Sequence, residues 1–116
     1  MKLVYIVSPF AGDVENNVKV AKAFSLFAVN SGFCPIASHL LYPQFLDDMV
    51  AKERLAGTEC GLELLRRCDE VWVLSGKISE GMKREILLSK ELKKLIRVFC
   101  FDGIAFMPCE DECLWE

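Results

Sequence analysis

Two stretches of the chain, Leu3-Val4-Tyr5-Ile6-Val7 and Glu70-Val71-Trp72-Val73-Leu74, are nearly unbroken apolar runs without the alternation of a half-solvated strand. Rich in β-branched residues and ended by Ser8-Pro9 and Ser75-Gly76, they read as strands covered on both faces. Between them, residues 13–30 carry helical spacing (Val14, Val18, Ala21, Phe24, Ala28) from an Asp13 cap to Ser31-Gly32. The remaining order is a short strand over 33–37, a long connection over 38–56 with a helical turn near 44–50, and a helix over 58–67. After the strand at 70–74 come a helix from Ser79 to about Lys94 and a strand over 95–101. Strands alternating with helices imply parallel neighbours joined by right-handed crossovers. The expectation is an α/β fold, a single doubly wound and mostly parallel sheet spanning residues 1–116. The tail at 102–116 stays open between an edge strand, a packing arm and a dimer contact.

Composition narrows the function. The 116 residues carry 14 Lys+Arg against 17 Asp+Glu, a net charge of −3, and 53% are hydrophobic, which suits one well-buried core and excludes a disordered chain. Basic residues are spread rather than massed, so no nucleic-acid polymer is expected as partner. The N-terminal apolar run falls well short of the ~20 residues of a membrane span or of a signal-peptide core, and the expectation is a cytoplasmic protein with no membrane contact. Six cysteines without a secretion signal are expected to stay reduced, Cys34, Cys60, Cys68 and Cys100 as small apolar core residues. Cys109 and Cys113 form a lone C-x-x-x-C with no nearby histidine. That is thin support for a metal, and no metal or other cofactor is expected.

In sheets of this type ligands lie beyond the carboxyl ends of the strands, where helix N-termini also point. On the helix from Ser79, a wheel places Glu80, Lys83, Arg84, Lys90, Glu91 and Lys94 on one side and Met82, Leu88, Ser89 and Leu92 on the other, with Glu85 in the middle of the second group. A carboxylate facing a sheet costs several kcal/mol unless paired or hydrogen-bonded. Glu85 is therefore the first candidate for chemistry, against a buried salt bridge to Arg54, Arg97 or Lys77. Asn17 also falls on the apolar side of its helix and suits either a ligand or a loop-fixing role. Residues Ser8 to Asp13 match neither a phosphate loop nor a dinucleotide fingerprint, although Ser8 and Gly12 offer donors. Ser79 suits a phosphate or sugar hydroxyl, or a plain helix cap. His39, the one histidine, follows the second strand and suits a ligand contact or proton carrier, or a locally bonded surface role.

Tyr5-Ile6-Val7-Ser8-Pro9-Phe10, Cys68-Asp69-Glu70-Val71-Trp72-Val73 and Ser79-Glu80-Gly81-Met82-Lys83-Arg84-Glu85-Ile86 together resemble the nucleoside 2-deoxyribosyltransferase-like superfamily, in particular its small uncharacterised bacterial and phage members. The resemblance covers about residues 2–100. It implies a Rossmann-like or flavodoxin-like domain, usually oligomeric, that handles the N-glycosidic bond of a small-molecule nucleoside or nucleotide. It further implies a homodimer or higher homo-oligomer whose site is often completed across a dimer contact. On this resemblance Glu85 is the nucleophile that attacks the anomeric carbon, and Tyr5 is the tyrosine that orients it. Substrate contacts would come from Ser8, Pro9, Phe10, Asn17, His39, Ser79, Gly81 and Met82, with Ser79 on a 5′-phosphate; Asp69 is assigned to turn structure. One departure stands out: active relatives carry an aspartate eight residues before the Asp69 position, where this chain has Gly61. Loss of acid assistance at the leaving base removes typically ~10²–10⁴ in rate, unless Asp47, Asp48 or His39 replaces it. The expectation is therefore an N-glycosidase or deoxyribosyltransferase, with a non-catalytic nucleoside- or ADP-ribose-type binding module as the alternative. A structural or interaction role, resting on exposed features such as Trp115, is the third reading.

Overall fold

The computed structural model describes residues 1–109. Its elements are β1 (Leu3–Val7), α1 (Val14–Asn30), β2 (Cys34–Ile36), α2 (Ser38–Leu41), a 3-10 turn (Tyr42–Gln44), α3 (Ala51–Arg67), β3 (Glu70–Leu74), α4 (Glu80–Glu91), β4 (Leu95–Phe101) and β5 (Phe106–Pro108). They build one five-stranded sheet in the order β2-β1-β3-β4-β5, parallel except for the antiparallel β4–β5 pair. The order reverses direction between β1 and β3, which is where open α/β sheets hold their ligands.

Period-two alternation sorts each inner strand between two cores. Tyr5, Val7, Val71 and Val73 turn toward α3 and α4, where they meet Leu65, Met82 and Ile86. Val4, Ile6, Trp72 and Leu74 turn the other way, toward Phe24 and Ala28 of α1. Because one helix covers this second face, aromatic rings fill what it cannot reach. Phe24 stacks on Phe106 at 5.0 Å, and Trp72 meets Phe33 and Phe99 at 4.9 and 4.7 Å.

Two sequence expectations change and one left open is resolved. The third helix begins at Ala51, not near Thr58. Its N-cap Val50 has no side-chain cap, and Gly57, which looks like a break, lies inside the helix, where a Cβ would come within 3.5 Å of Leu46 Cδ1. The tail supplies an edge strand at residues 106–108, reached through a turn in which the Asp102 carboxylate accepts from the Ile104 and Ala105 amides at 2.8 Å each. Of the four cysteines expected in the core, Cys68 alone is fully buried; Cys34 and Cys100 are half-buried and Cys60 is exposed, one helical step away from the buried line of Gly61 and Leu65. Cys113 and Trp115 lie outside the described residues. Among the described residues no helix is long and apolar enough to cross a membrane.

Candidate active site

A cleft opens at the carboxyl edge of β1 and β2, walled by α3, α4 and the segment that joins β2 to α3. Counted to its open mouth, with the solvent space there included, it holds about 600 Å³ of empty space. Its base is made of three groups that are almost wholly buried: Tyr5 from β1, Ser38 from the start of α2 and Glu85 from α4. The Ser79 hydroxyl caps α4 by accepting from the Met82 amide at 3.2 Å, which starts the helix so that Met82, Glu85, Ile86 and Ser89 form its inward line. Leu92, expected on that line, is exposed because the helix ends at Glu91 and Lys93 turns left-handed (φ 56°).

The Tyr5 phenol donates to Glu85 Oε2, and its oxygen lies 2.9 Å from Ser38 Oγ. Glu85 forms no salt bridge among the described residues; Arg97, one of its conceivable partners, binds Glu70 instead. Burial pushes the Glu85 carboxyl up to about 7, opposed by the Tyr5 hydrogen bond and the charge of Arg84. Burial, and then the neighbouring Glu85 charge, hold the Tyr5 phenol far above its ordinary range, so it keeps its proton. The arrangement is a protonated donor aimed at a carboxylate that titrates near neutrality and faces open space. Such a group can act as a nucleophile or exchange a proton at neutral pH.

The residues singled out in the sequence separate here. Tyr5, Phe10, His39, Gly81 and Glu85 line the cleft, whereas Ser8, Pro9, Asn17, Ser79 and Met82 do not. His39 stacks on Phe10 with ring centroids 5.1 Å apart, and burial lowers its pKa against the opposing charge of Asp48, so the imidazole is neutral at pH 7. Asn17 donates from Nδ2 to the carbonyls of Phe10 and Ala11 at 3.0 and 3.1 Å, tying the loop after β1 to α1. Asn17→Ala is expected to cost about 0.5–1.5 kcal/mol through the two lost hydrogen bonds and the freed loop; urea unfolding of the variant checks it. Met82 belongs to the core beside Leu65 and Ile86. Arg54 and Arg84 stand exposed at the rim. Ser38 carries no sequence signal; it stands two residues beyond Ile36, which pairs in register with Tyr5, and that register brings it to the site. Among the described residues no three His, Cys, Asp or Glu side chains gather to hold a metal ion.

The fold is that of the 2-deoxyribosyltransferases. The chain superposes on the 2-deoxyribosyltransferase of Bacillus psychrosaccharolyticus with a TM-score of 0.71 at 17% identity, covering 89% of this chain and 75% of that one. On the Leishmania mexicana enzyme, the TM-score is 0.64 at 15% identity over 88% of this chain and 66% of that one. Among curated proteins none matches the sequence. Residues 2–99, most of the chain, match a family pattern described as a domain of unknown function, DUF7768, and the chain belongs to that family.

Proposed function

We propose that the protein acts on the N-glycosidic bond of a nucleoside or nucleoside monophosphate, with Glu85 as the nucleophile. The observation that carries this reading is a carboxylate buried at the base of an open cleft, hydrogen-bonded by Tyr5 and, among the described residues, paired with no cation. A carboxylate held only for stability would be met by a cation or several donors, as Glu70 is. Ionised Glu85 attacks the anomeric carbon as the bond from that carbon to the base nitrogen breaks. The electron pair leaves with the base, which takes a proton from solvent. Water or a second base then attacks the same carbon and gives up its proton to solvent, the ester to Glu85 breaks, and the carboxylate is restored. Phe10 and His39 offer a stacked, uncharged wall suited to a nucleobase, and the open end of α4 near Gly81 suits the sugar hydroxyls or a phosphate.

A second reading, a binding module without catalysis, is favoured by Gly61, which leaves no carboxylate at that point of α3. Base release separates the two. Nucleosides, 2′-deoxynucleosides, their 5′-monophosphates and NAD are incubated with wild type and Glu85→Ala and resolved by chromatography. Release by the wild type is expected to fall in the variant by on the order of a thousandfold or more. No release from any of them, with a nucleotide still raising the melting temperature, would select the binding module.

A further inference from the structure

We propose that Ser38 is a positioning residue for Glu85, acting through Tyr5, and that Gly61 is the vacancy in α3 that gives the pair of hydroxyls room. The inference deepens the reading of Glu85 as nucleophile and rests on it for its functional meaning.

Hydrogen counting sets the direction of the chain. A neutral phenol has one proton, and Tyr5 commits it to Glu85. Its oxygen can then only accept from Ser38, 2.9 Å away, so the Ser38 hydroxyl is the donor. Two O–H groups thus point the same way and end on the carboxylate, each polarising the next, an arrangement that favours the ionised form of Glu85. Protonation of Glu85 would let both bonds reverse. The backbone fixes both partners, since β1 and β2 pair in parallel with Tyr5 opposite Ile36, and Ser38 follows on the same side.

Gly61 faces this pair. A Cβ there would stand 3.1 Å from the Tyr5 hydroxyl and 3.5 Å from both Cβ and Oγ of Ser38. A side chain would therefore crowd the Tyr5 hydroxyl, which would have to give by a few tenths of an ångström, and would touch Ser38 at ordinary contact distance. Glycine at the position where the resemblance leads one to look for an aspartate leaves the Tyr5 hydroxyl uncrowded. Charged and titratable groups around the site are Arg84 on α4, His39 on α2, Tyr42 in the 3-10 turn, Asp48 in the connection, and Glu53 and Arg54 on α3. Cys68, after α3, acts on Tyr5.

The test is a carbon-13 NMR titration of the Glu85 carboxyl in the full chain, for wild type, Ser38→Ala, Ser38→Thr and Gly61→Ala. Ser38→Ala is expected to raise the Glu85 pKa by about half to one unit, through loss of a donor that favours the charged form, and Ser38→Thr to keep it within about 0.2 unit. Gly61→Ala, which favours the helix and crowds the hydroxyls, is expected to raise it too, and it carries the test should Ser38→Ala not fold. An unchanged pKa in whichever of these alanine variants folds, or equal shifts in the alanine and threonine variants at position 38, would overturn the proposal. The titration needs no substrate, so an absence of base release defeats the glycosidic reading without touching this result. If base release is found, the acid limb of its pH profile is expected to move with the NMR value.

Discussion

Glu85→Gln is expected to be inactive in base release and, above pH 7, more stable than the wild type by about 3 kcal/mol. The stability gain follows from linkage. Burial raises the Glu85 carboxyl from its ordinary 4.5 to about 7 in the folded chain, so between those values the folded state binds more protons than the unfolded one. A raised acid contributes stability that is complete below about 4.5 and lost as pH rises through 7. The loss is about 1.4 kcal/mol for each unit of difference. Glutamine keeps the acceptor for Tyr5 and carries no charge, so it pays no such penalty. Urea unfolding of both proteins from pH 4.5 to 8 checks this: their difference is expected to be small at the acid end and to grow up to pH 7. A constant difference would mean that Glu85 titrates normally. On the proposed reading the same value sets the activity, since a carboxylate nucleophile must be ionised; release is then expected to fall about tenfold per pH unit below 7 and to level above 8. Stability and reaction therefore pull on Glu85 in opposite directions, as expected where a site is maintained against the folding of its host.

Much of this was legible before any coordinates. Glu85 stands out because a helix wheel needs only spacing, and burial on α4 is a property of spacing. The same logic places Gly61 against the sheet, where it lies. Ser38 was missed because its importance is a matter of register: nothing in Ala37-Ser38-His39 says that β2 will pair with β1 so as to bring that hydroxyl to the end of the Tyr5 ring. The start of α3 was misplaced because Gly57 and Thr58 resemble a boundary, while the actual start at Ala51 has no capping side chain. Tertiary packing of the connection over Gly57 overrides that local signal. The β4–β5 turn carries a local signal that the open reading of the tail passes over: Asp102-Gly103 is a strong turn pair, and Gly103 takes φ 99°. What could not be read was whether the following three residues would join the sheet. That depended on Phe106 finding Phe24 and Phe101 across it, at 5.0 and 4.3 Å.

The second buried glutamate is expected to behave in the opposite sense. Glu70, 2% exposed at the first position of β3, accepts at Oε1 from Arg97 Nε at 2.8 Å and from Trp72 Nε1 at 3.1 Å, while Oε2 faces Lys2 Nζ at 3.6 Å. Burial alone would raise its pKa, but the hydrogen bonds from Arg97 and Trp72 and the two cationic charges outweigh it and hold the carboxyl below its ordinary range. Its contribution to stability is therefore present above about pH 4.5 and lost as pH falls through the lowered folded value. Glu70→Ala is expected to cost about 2–3 kcal/mol at pH 7. The buried Trp72 N–H loses its acceptor, which is the larger part; Arg97, half-exposed, recovers its hydration and adds less. Glu70→Gln, which keeps an acceptor for both donors, is expected to cost about 1 kcal/mol. Urea unfolding at pH 7 separates the three proteins, and an alanine variant as stable as the wild type would show that the cluster contributes nothing. The two glutamates lie at opposite ends of one sheet, Glu70 where β3 begins and Glu85 on the helix that follows its carboxyl end. One is surrounded by donors and cations that make its charge part of the fold; the other meets, among the described residues, one phenol, no paired cation and an open cleft. That contrast, within a single chain and with opposite pH signs, is the physical reason for assigning chemistry to Glu85 and structure to Glu70.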